Sequence, residues 1–396
     1  MYELTYAVPL ILLSALCWYA GYLYGVRRGR AKEASSQLAQ HYFQGINFLL
    51  NEQPDQAIVT FIRSVDVTPA TLETHLALGN IMRQRGETER AIRVHQNLLS
   101  RPNLTGQQLR QARLELGRDF LKAGLFDRAE RLFLDLVDDE SGGFRQSSLL
   151  HLIDIYRHEK EWEKAIRAAS MMDKKRFGRT PEGLGIEQAN FCCELALRAM
   201  AGGDLLEARG HLKSALKFNR NSSRASMLWG KLEGLANNHS LALKRYLAVP
   251  DQQPEFLTEI LSPVRNCYQA LEDKSGLLRQ LSSWLEKYPS ASLLNMVAEE
   301  IGVQQGDEAA ISFLGDYLER HPSLKGLNAL LGFYWPSEGA VGRHLELFKH
   351  TLSALIERSP AYRCIQCGFK GSHLHWLCPQ CQHWETVRPL RGIEGE

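Results

Sequence analysis

The sequence has almost no net charge: across 396 residues, 47 lysines and arginines face 45 aspartates and glutamates. Nothing global therefore asks for nucleic acid as a partner. Catalytic signatures are missing as well. There is no phosphate-cradling glycine loop, no G-x-S-x-G and no H-E-x-x-H, the run HEKEW at His158 failing the last of these. These absences argue against an enzyme. A further absence is local, since residues 4–26 carry no ionisable group other than tyrosines and one cysteine.

Those 23 residues, rising ~1.5 Å each as a helix, are long enough to cross a ~30 Å hydrocarbon core. A cleaved signal peptide would need a basic leader, a shorter apolar run and a small-residue cleavage site, and none is visible. Glu3 is the only charge ahead of the run, whereas Arg27, Arg28, Arg30 and Lys32 follow at once. The positive-inside rule then predicts a single-pass anchor over 1–27, a basic juxtamembrane linker over 28–37, and a cytoplasmic remainder. Trp18, Tyr19, Tyr22 and Tyr24 suit the interface at the basic end. Gly21 and Gly25 form a G-x-x-x-G, which would let two anchors pair as a homo-oligomer, although glycine is common in membrane helices generally. Gly21, Gly25, Arg27 and Arg28 are the candidate contacts with membrane or partner.

From about residue 38 to 335 the pattern becomes paired amphipathic helices separated by short polar or glycine turns. Gly45 is followed twelve residues later by Ala57, Gly79 by Ala91, Gly117 by Ala129 and Gly230 by Ala242. A small residue on each of two antiparallel helices lets them pack closely. Phe61, Pro69 and Phe133 fall at the offsets such units require, and Gly45 and Gly79 lie 34 residues apart, the tetratricopeptide period. The chain resembles the tetratricopeptide family on these residues. Weaker units fit around Ile153 with Ala165, Ala196 with Ala208 and Ala215, Val297 with Ala309 and Phe313, and a stretch ending at Pro289, giving about eight in all. Residues 171–188 break the period and read as a lengthened connection, basic at Lys174, Lys175, Arg176 and Arg179. Such an all-α solenoid offers a concave groove to segments of other proteins. Asn80, Arg83 and Arg118 are groove candidates, although exposed side chains of these types are often merely solvated. A connecting helix over 340–358 places Leu345, Phe348, Leu352 and Leu355 on one face, suited to packing on the last repeat.

Near the C-terminus, over 360–391, Cys364, Cys367, Cys378 and Cys381 give C-x2-C-x10-C-x2-C. Two such turns can present four thiolates tetrahedrally to zinc, or to a single iron. A reducing cytoplasm disfavours two disulfides instead. The order C-x-x-C-G then C-P-x-C resembles the two knuckles of rubredoxin-like domains. Gln382 stands where such domains usually have glycine, a departure that favours structural zinc over electron-transferring iron. Tyr362, Phe369, Trp376 and Trp384 are expected to cover the metal or dock the module onto the helix before it. His373, His375 and His383 read as surface histidines, because four cysteines already close the site. Cys17, Cys192, Cys193 and Cys267 lie in apolar helical stretches and read as buried small residues.

Anchor, basic linker, repeats and knuckle occur in the order of the lipopolysaccharide assembly protein B family of Gram-negative bacteria. The stretches GINFLLNEQPDQAI, HLALGNIMRQRGETERAIRVHQ, LGRDFLKAGLFDRAE and YRCIQCGFKGSHLHWLCPQCQHWETVRPLRG carry that resemblance. It implies an inner-membrane protein with a periplasmic N-terminus, acting as an adaptor. The resemblance further implies that it brings the deacetylase LpxC to the membrane protease FtsH and is restrained by PbgA (also called LapC). Composition and spacing imply only a tethered protein-binding scaffold with a metal knuckle. Rival readings are a membrane-tethered redox protein using iron in the knuckle, a general assembly scaffold for lipopolysaccharide enzymes, and a nucleic-acid-binding zinc ribbon using Arg358, Arg363, Lys370, Arg388 and Arg391. Serine at the four cysteine positions is expected to unfold the knuckle while most helical content survives; metal retained at full stoichiometry would contradict the ligand assignment.

Overall fold

A computed structural model describes residues 72–390 apart from Asn103 and residues 139–142, 173–182 and 334–339, plus isolated positions between 18 and 60. Most of the expected anchor, including Gly25, Arg27 and Arg28, lies outside these residues, as do the linker and Ala57, Phe61 and Pro69 of the first repeat. Trp18, Tyr19, Gly21 and Tyr22 are helical, and the Trp18 and Tyr22 rings stack 6.1 Å apart. Among the described residues no helix is long and apolar enough to cross a membrane. The basic break in the period also falls largely outside them.

The chain divides into two compact units, 1–159 and 160–396. In the first, α1 (Leu72–Gln84) pairs with α2 (Thr88–Leu99), and α3 (Gly106–Lys122) with α4 (Phe126–Val137), followed by α5 (Arg145–His158). Thr105 and Gln108 form a reciprocal capping box that fixes the start of α3. Gly86 and Gly124 turn the two hairpins at φ +83 and +74, backbone conformations that cost glycine no Cβ clash.

The second unit begins with α6 (Trp162–Ser170), α7 (Leu184–Ala201), α8 (Leu205–Phe218), α9 (Ser223–Leu235) and α10 (His239–Tyr246). A short α11 (Val249–Gln252) and a 3-10 turn (Pro254–Phe256) lead into α12 (Leu257–Ala270) and α13 (Lys274–Lys287). The pairs α14 (Ala291–Gln305) with α15 (Asp307–Arg320), and α16 (Leu324–Phe333) with α17 (Ala340–Arg358), complete the helices. Three short strands follow, β1 (Tyr362–Cys364), β2 (Lys370–Gly371) and β3 (Val387–Pro389), in the antiparallel order β2-β1-β3.

The recurrent glycines have a sharper purpose than pairing with alanine. Three of the four face a ring sixteen residues further on: a Cβ at Gly79 would sit 2.4 Å from His95, one at Gly117 2.6 Å from Phe133, and one at Gly230 2.6 Å from Tyr246. The alanines at 91, 129 and 242 are fully buried alongside. Two expectations need correction. In α14 and α15 Val297 is buried as expected, but its partner helix buries Ala310 rather than Ala309, with Ala298 buried alongside, and Ala309 and Phe313 are half-buried. Of the four apolar residues on α17, Leu352 alone is buried; Leu345, Phe348 and Leu355 remain 40%, 51% and 57% exposed, because α16 is short and covers one strip of its partner.

Replacing Gly117 by alanine tests the ring-on-glycine contact. Alanine gains ~1 kcal/mol of helix propensity, but overpacking a fixed core ring costs about 1–3 kcal/mol. We expect a net loss of stability in chemical denaturation, partly recovered by Phe133→Leu in the same chain. A Gly117→Ala protein as stable as the parent would refute this account.

Candidate metal centre and its seat

The four cysteines sit on two turns of the same design. Cys364 N–H donates to the Phe369 carbonyl at 2.7 Å and Gly368 N–H to the Cys364 carbonyl at 3.1 Å. In the second turn Cys378 N–H donates to the His383 carbonyl at 3.0 Å and Gln382 N–H to the Cys378 carbonyl at 2.9 Å. Gly368 has φ +79 and Gln382 φ +57. The glutamine thus keeps the knuckle geometry despite its side chain, at about 1–2 kcal/mol for a left-handed non-glycine residue.

All four Sγ atoms lie within 4.8 Å of one another, and the pairs Cys364 with Cys381 and Cys367 with Cys378 are each 3.7 Å apart. Metal–sulfur bonds of ~2.3 Å at tetrahedral angles require sulfurs ~3.8 Å apart. The donor set therefore fits one tetrahedral ion. Burial opposes ionisation of Cys364, yet hydrogen bonding with Thr386 and the backbone amides of Cys367 and Gln366 brings its pKa down to about 6. Burial pushes the Cys381 thiol up to about 12, and its cysteine neighbours push the same way. Crowded thiols share negative charge poorly, which is what a bound cation relieves. His383 is held aside, its Nδ1 2.7 Å from the Cys381 carbonyl, and His373 and His375 are exposed. Cys192, Cys193 and Cys267 are buried free thiols; burial raises all three, the first two to about 12.

The aromatic residues do not dock the module onto α17, the helix before it. They seat it on earlier helices of the same unit. Trp384, 7% exposed, packs edge-on against Trp162 of α6 at 6.2 Å and Phe191 of α7 at 6.1 Å. Trp376 meets Phe256 at 4.9 Å, the Tyr362 hydroxyl donates to Glu259 of α12 at 2.6 Å, and Arg388 pairs with Glu255. Phe369 stays within the module, edge-on to His375 at 6.0 Å.

Under Trp384 runs a buried polar relay that sequence reading missed. Arg224 of α9 donates to Asn190 Oδ1 at 3.0 Å and to Glu194 at 2.5 Å. Asn190 Nδ2 donates to Glu385 Oε1 at 2.8 Å, and Gln253 Nε2 to Glu385 Oε2 at 3.2 Å. The Arg224 guanidinium also lies 5.6 Å from the Trp376 ring centre and 5.3 Å from that of Trp384. Burial raises the Glu385 pKa, against the pull of its amide donors and Arg224. The only sequence hint was a Trp-Glu pair just beyond the last cysteine.

The groove candidates are all engaged in the first unit. Arg83 donates to Asn80, Glu115 and Asp119 at 2.6, 2.7 and 2.7 Å, and Arg118 to Glu115, His151 and Ser147 at 2.7, 3.1 and 3.2 Å. Fully buried Asp119 also meets His95 Nδ1 at 2.5 Å. Burial, with the Arg118 charge, lowers the His151 pKa.

Fold and site together define a tetratricopeptide-repeat protein carrying a C-terminal rubredoxin-type four-cysteine module. Family models agree: tetratricopeptide repeats match residues 74–107 and 114–174, and a rubredoxin metal-binding domain matches 362–389. "Lipopolysaccharide assembly protein B" of Escherichia coli strain K12 is 34% identical over 397 aligned residues, covering all of both chains. The protein of the same name from Haemophilus influenzae is 31% identical over 407, again covering all of both. Among solved structures, a tetratricopeptide repeat protein from Parabacteroides merdae matches 71% of this chain and 99% of its own at 12% identity and TM-score 0.33. The chain belongs to the lipopolysaccharide assembly protein B family.

Removing the Glu385 side chain would take the acceptor of the Gln253 amide and one of the two acceptors of the Asn190 amide, whose other is the Ile186 carbonyl. Glu385→Ala is expected to destabilise the second unit by ~2–4 kcal/mol. Its effect should be non-additive with that of Asn190→Ala in a double-mutant cycle read by thermal denaturation. Independent, additive losses would show that the relay does not act as a unit.

Proposed function

We propose that this protein is an inner-membrane-anchored adaptor in lipopolysaccharide assembly, with no chemistry of its own. The observation that carries the reading is end-to-end relatedness to proteins named for that process, spanning repeats and knuckle alike. Repeat arrays of this kind bind segments of other proteins along stacked helices. The anchor predicted over 4–26 would confine the array to the membrane surface and raise the effective concentration of a client for any membrane-bound partner. On this reading the client is the deacetylase LpxC, the partner is the protease FtsH, and the inner-membrane protein LapC restrains the encounter. The four cysteines would hold zinc, which fixes the fold of the knuckle.

Affinity capture of the full-length protein from native inner membrane, with deacetylase and protease quantified, tests the reading. Both should co-purify, and a Cys378→Ser/Cys381→Ser variant should lose one selectively if the knuckle contributes to the contact surface. Replacing the anchor by a soluble tag should leave folding intact and abolish client turnover. Unchanged turnover by the untethered protein would remove tethering from the mechanism.

A further inference from the structure

Cys364 meets a side-chain hydroxyl as well as the other three sulfurs. Its Sγ lies 3.4 Å from Thr386 Oγ1, and the Cys367 amide approaches the same sulfur at 3.5 Å. Thr386 Oγ1 also lies 3.1 Å from the His383 carbonyl. A hydroxyl has one proton to give. While Cys364 is a thiol, its S–H donates to Thr386 Oγ1 and the hydroxyl proton goes to His383. As a metal ligand Cys364 is a thiolate, its proton having left to solvent as the cation binds. The contact with Thr386 then persists only if the hydroxyl donates. Turning that hydroxyl orphans nothing, because the His383 carbonyl still accepts from the Cys378 amide at 3.0 Å. Water is a poor substitute for it, since Cys364 is only 1% exposed.

We propose that Thr386 is a positioning residue of the metal site: its hydroxyl turns from the His383 carbonyl to Cys364 Sγ when that sulfur binds a cation, and so raises the affinity of the module for its ion. This rests on the reading of the four cysteines as one metal site. A hydrogen bond to an ionised acceptor is roughly twice as strong as one between neutral groups. Losing a donor or acceptor that orients a metal ligand costs about 10–100-fold in metal affinity. The chain holds Thr386 in place from both sides. Its carbonyl accepts from the Ile365 amide at 2.8 Å, and Val387 after it pairs with Cys364 across β1 and β3. Before it, the Glu385 amide donates to the Trp376 carbonyl at 2.7 Å, and the Glu385 carboxylate is tied to Asn190 and Gln253. A β-branched side chain adds little rotamer freedom of its own. The hydroxyl is thus delivered to the sulfur by a strand on one side and by the seat on the repeats on the other.

The test is the zinc affinity of the full-length protein in detergent, read by competition with a chromophoric chelator, together with the absorption spectrum of the cobalt(II)-substituted protein. Thr386→Val removes the hydroxyl at nearly constant volume, and Thr386→Ser keeps it. Thr386→Val should weaken zinc binding about tenfold or more. It should also move the sulfur-to-cobalt charge-transfer band to longer wavelength, because a thiolate relieved of a hydrogen bond gives up electrons more readily. Thr386→Ser should retain the parental affinity and band. A role in folding alone would lower the affinity and leave the band where it is. Parental affinity in Thr386→Val, weakened affinity with an unshifted band, or Thr386→Ser behaving as Thr386→Val would each overturn the proposal. If Thr386→Val does not fold with either ion, Thr386→Ala carries the same two expectations. Failure of the parent to bind zinc or cobalt would sink the metal-site reading and this inference with it, whereas a parent that binds beside indifferent variants would sink the role of Thr386 alone.

Discussion

The seat of the knuckle depends on one buried contact, the Glu385 carboxylate under Trp384. A module of this size cannot bury enough apolar surface to fold unaided, so it needs an ion within and a surface beneath. An ion would draw the four thiols together, and Glu385 ties the result to Asn190 of α7 and to Gln253, which lies between α11 and the 3-10 turn. Asn190 mediates, accepting from Arg224 with its oxygen and donating to Glu385 with its nitrogen. A buried carboxylate without such donors would cost several kcal/mol. Here two amides and a nearby guanidinium oppose that cost, and the arrangement gains direction: the three partners meet in a single orientation of the knuckle.

Backbone geometry points the same way. Gln382 and Glu385 both have left-handed φ, +57 and +58, on either side of His383 and Trp384. Non-glycine residues persist there only when their surroundings over-determine them. Gln382 is fixed by the ligand Cys381 before it, and Glu385 by its two amide donors. Between them the chain reverses so that a metal ligand and the docking tryptophan lie three residues apart yet face different surfaces. Metal binding and docking therefore share the cost of the same turn, and each supports the other.

How much of this was legible follows from range. The cysteine spacing named the ligands because both pairs are local, and a C-x-x-C turn needs nothing distant to form. The glycine at each repeat start was visible, but its reason lay in a ring sixteen residues away, so the spacing to alanine stood out first. Docking was not legible: Glu385 and Asn190 are 195 residues apart, and each alone looks like an ordinary polar residue of a loop or helix. Arg83, Asn80 and Arg118 show the opposite problem. They are the right types in the right repeats for a groove, yet Glu115 and Asp119 of the next repeat engage the Arg83 guanidinium, and Glu115 also holds Arg118 of its own helix, a network that a periodic pattern cannot reveal.

Seating the knuckle on the repeats also changes what kind of binding surface this family member has. A bare helical array recognises partners through residues repeated along its helices, and such surfaces tend to be permissive. Here Trp376 and Trp384 cover part of α6, α7 and α9 and contribute surface of their own, so the face around them is composite. Half of it comes from helices held by nearest-neighbour burial, which tolerates local change. The rest comes from the four-cysteine module, which would lose its fold without an ion. Partner recognition on that face would then be coupled to metal occupancy without any movement of the repeats, because the helices present the same side chains either way and only the covering wall is lost.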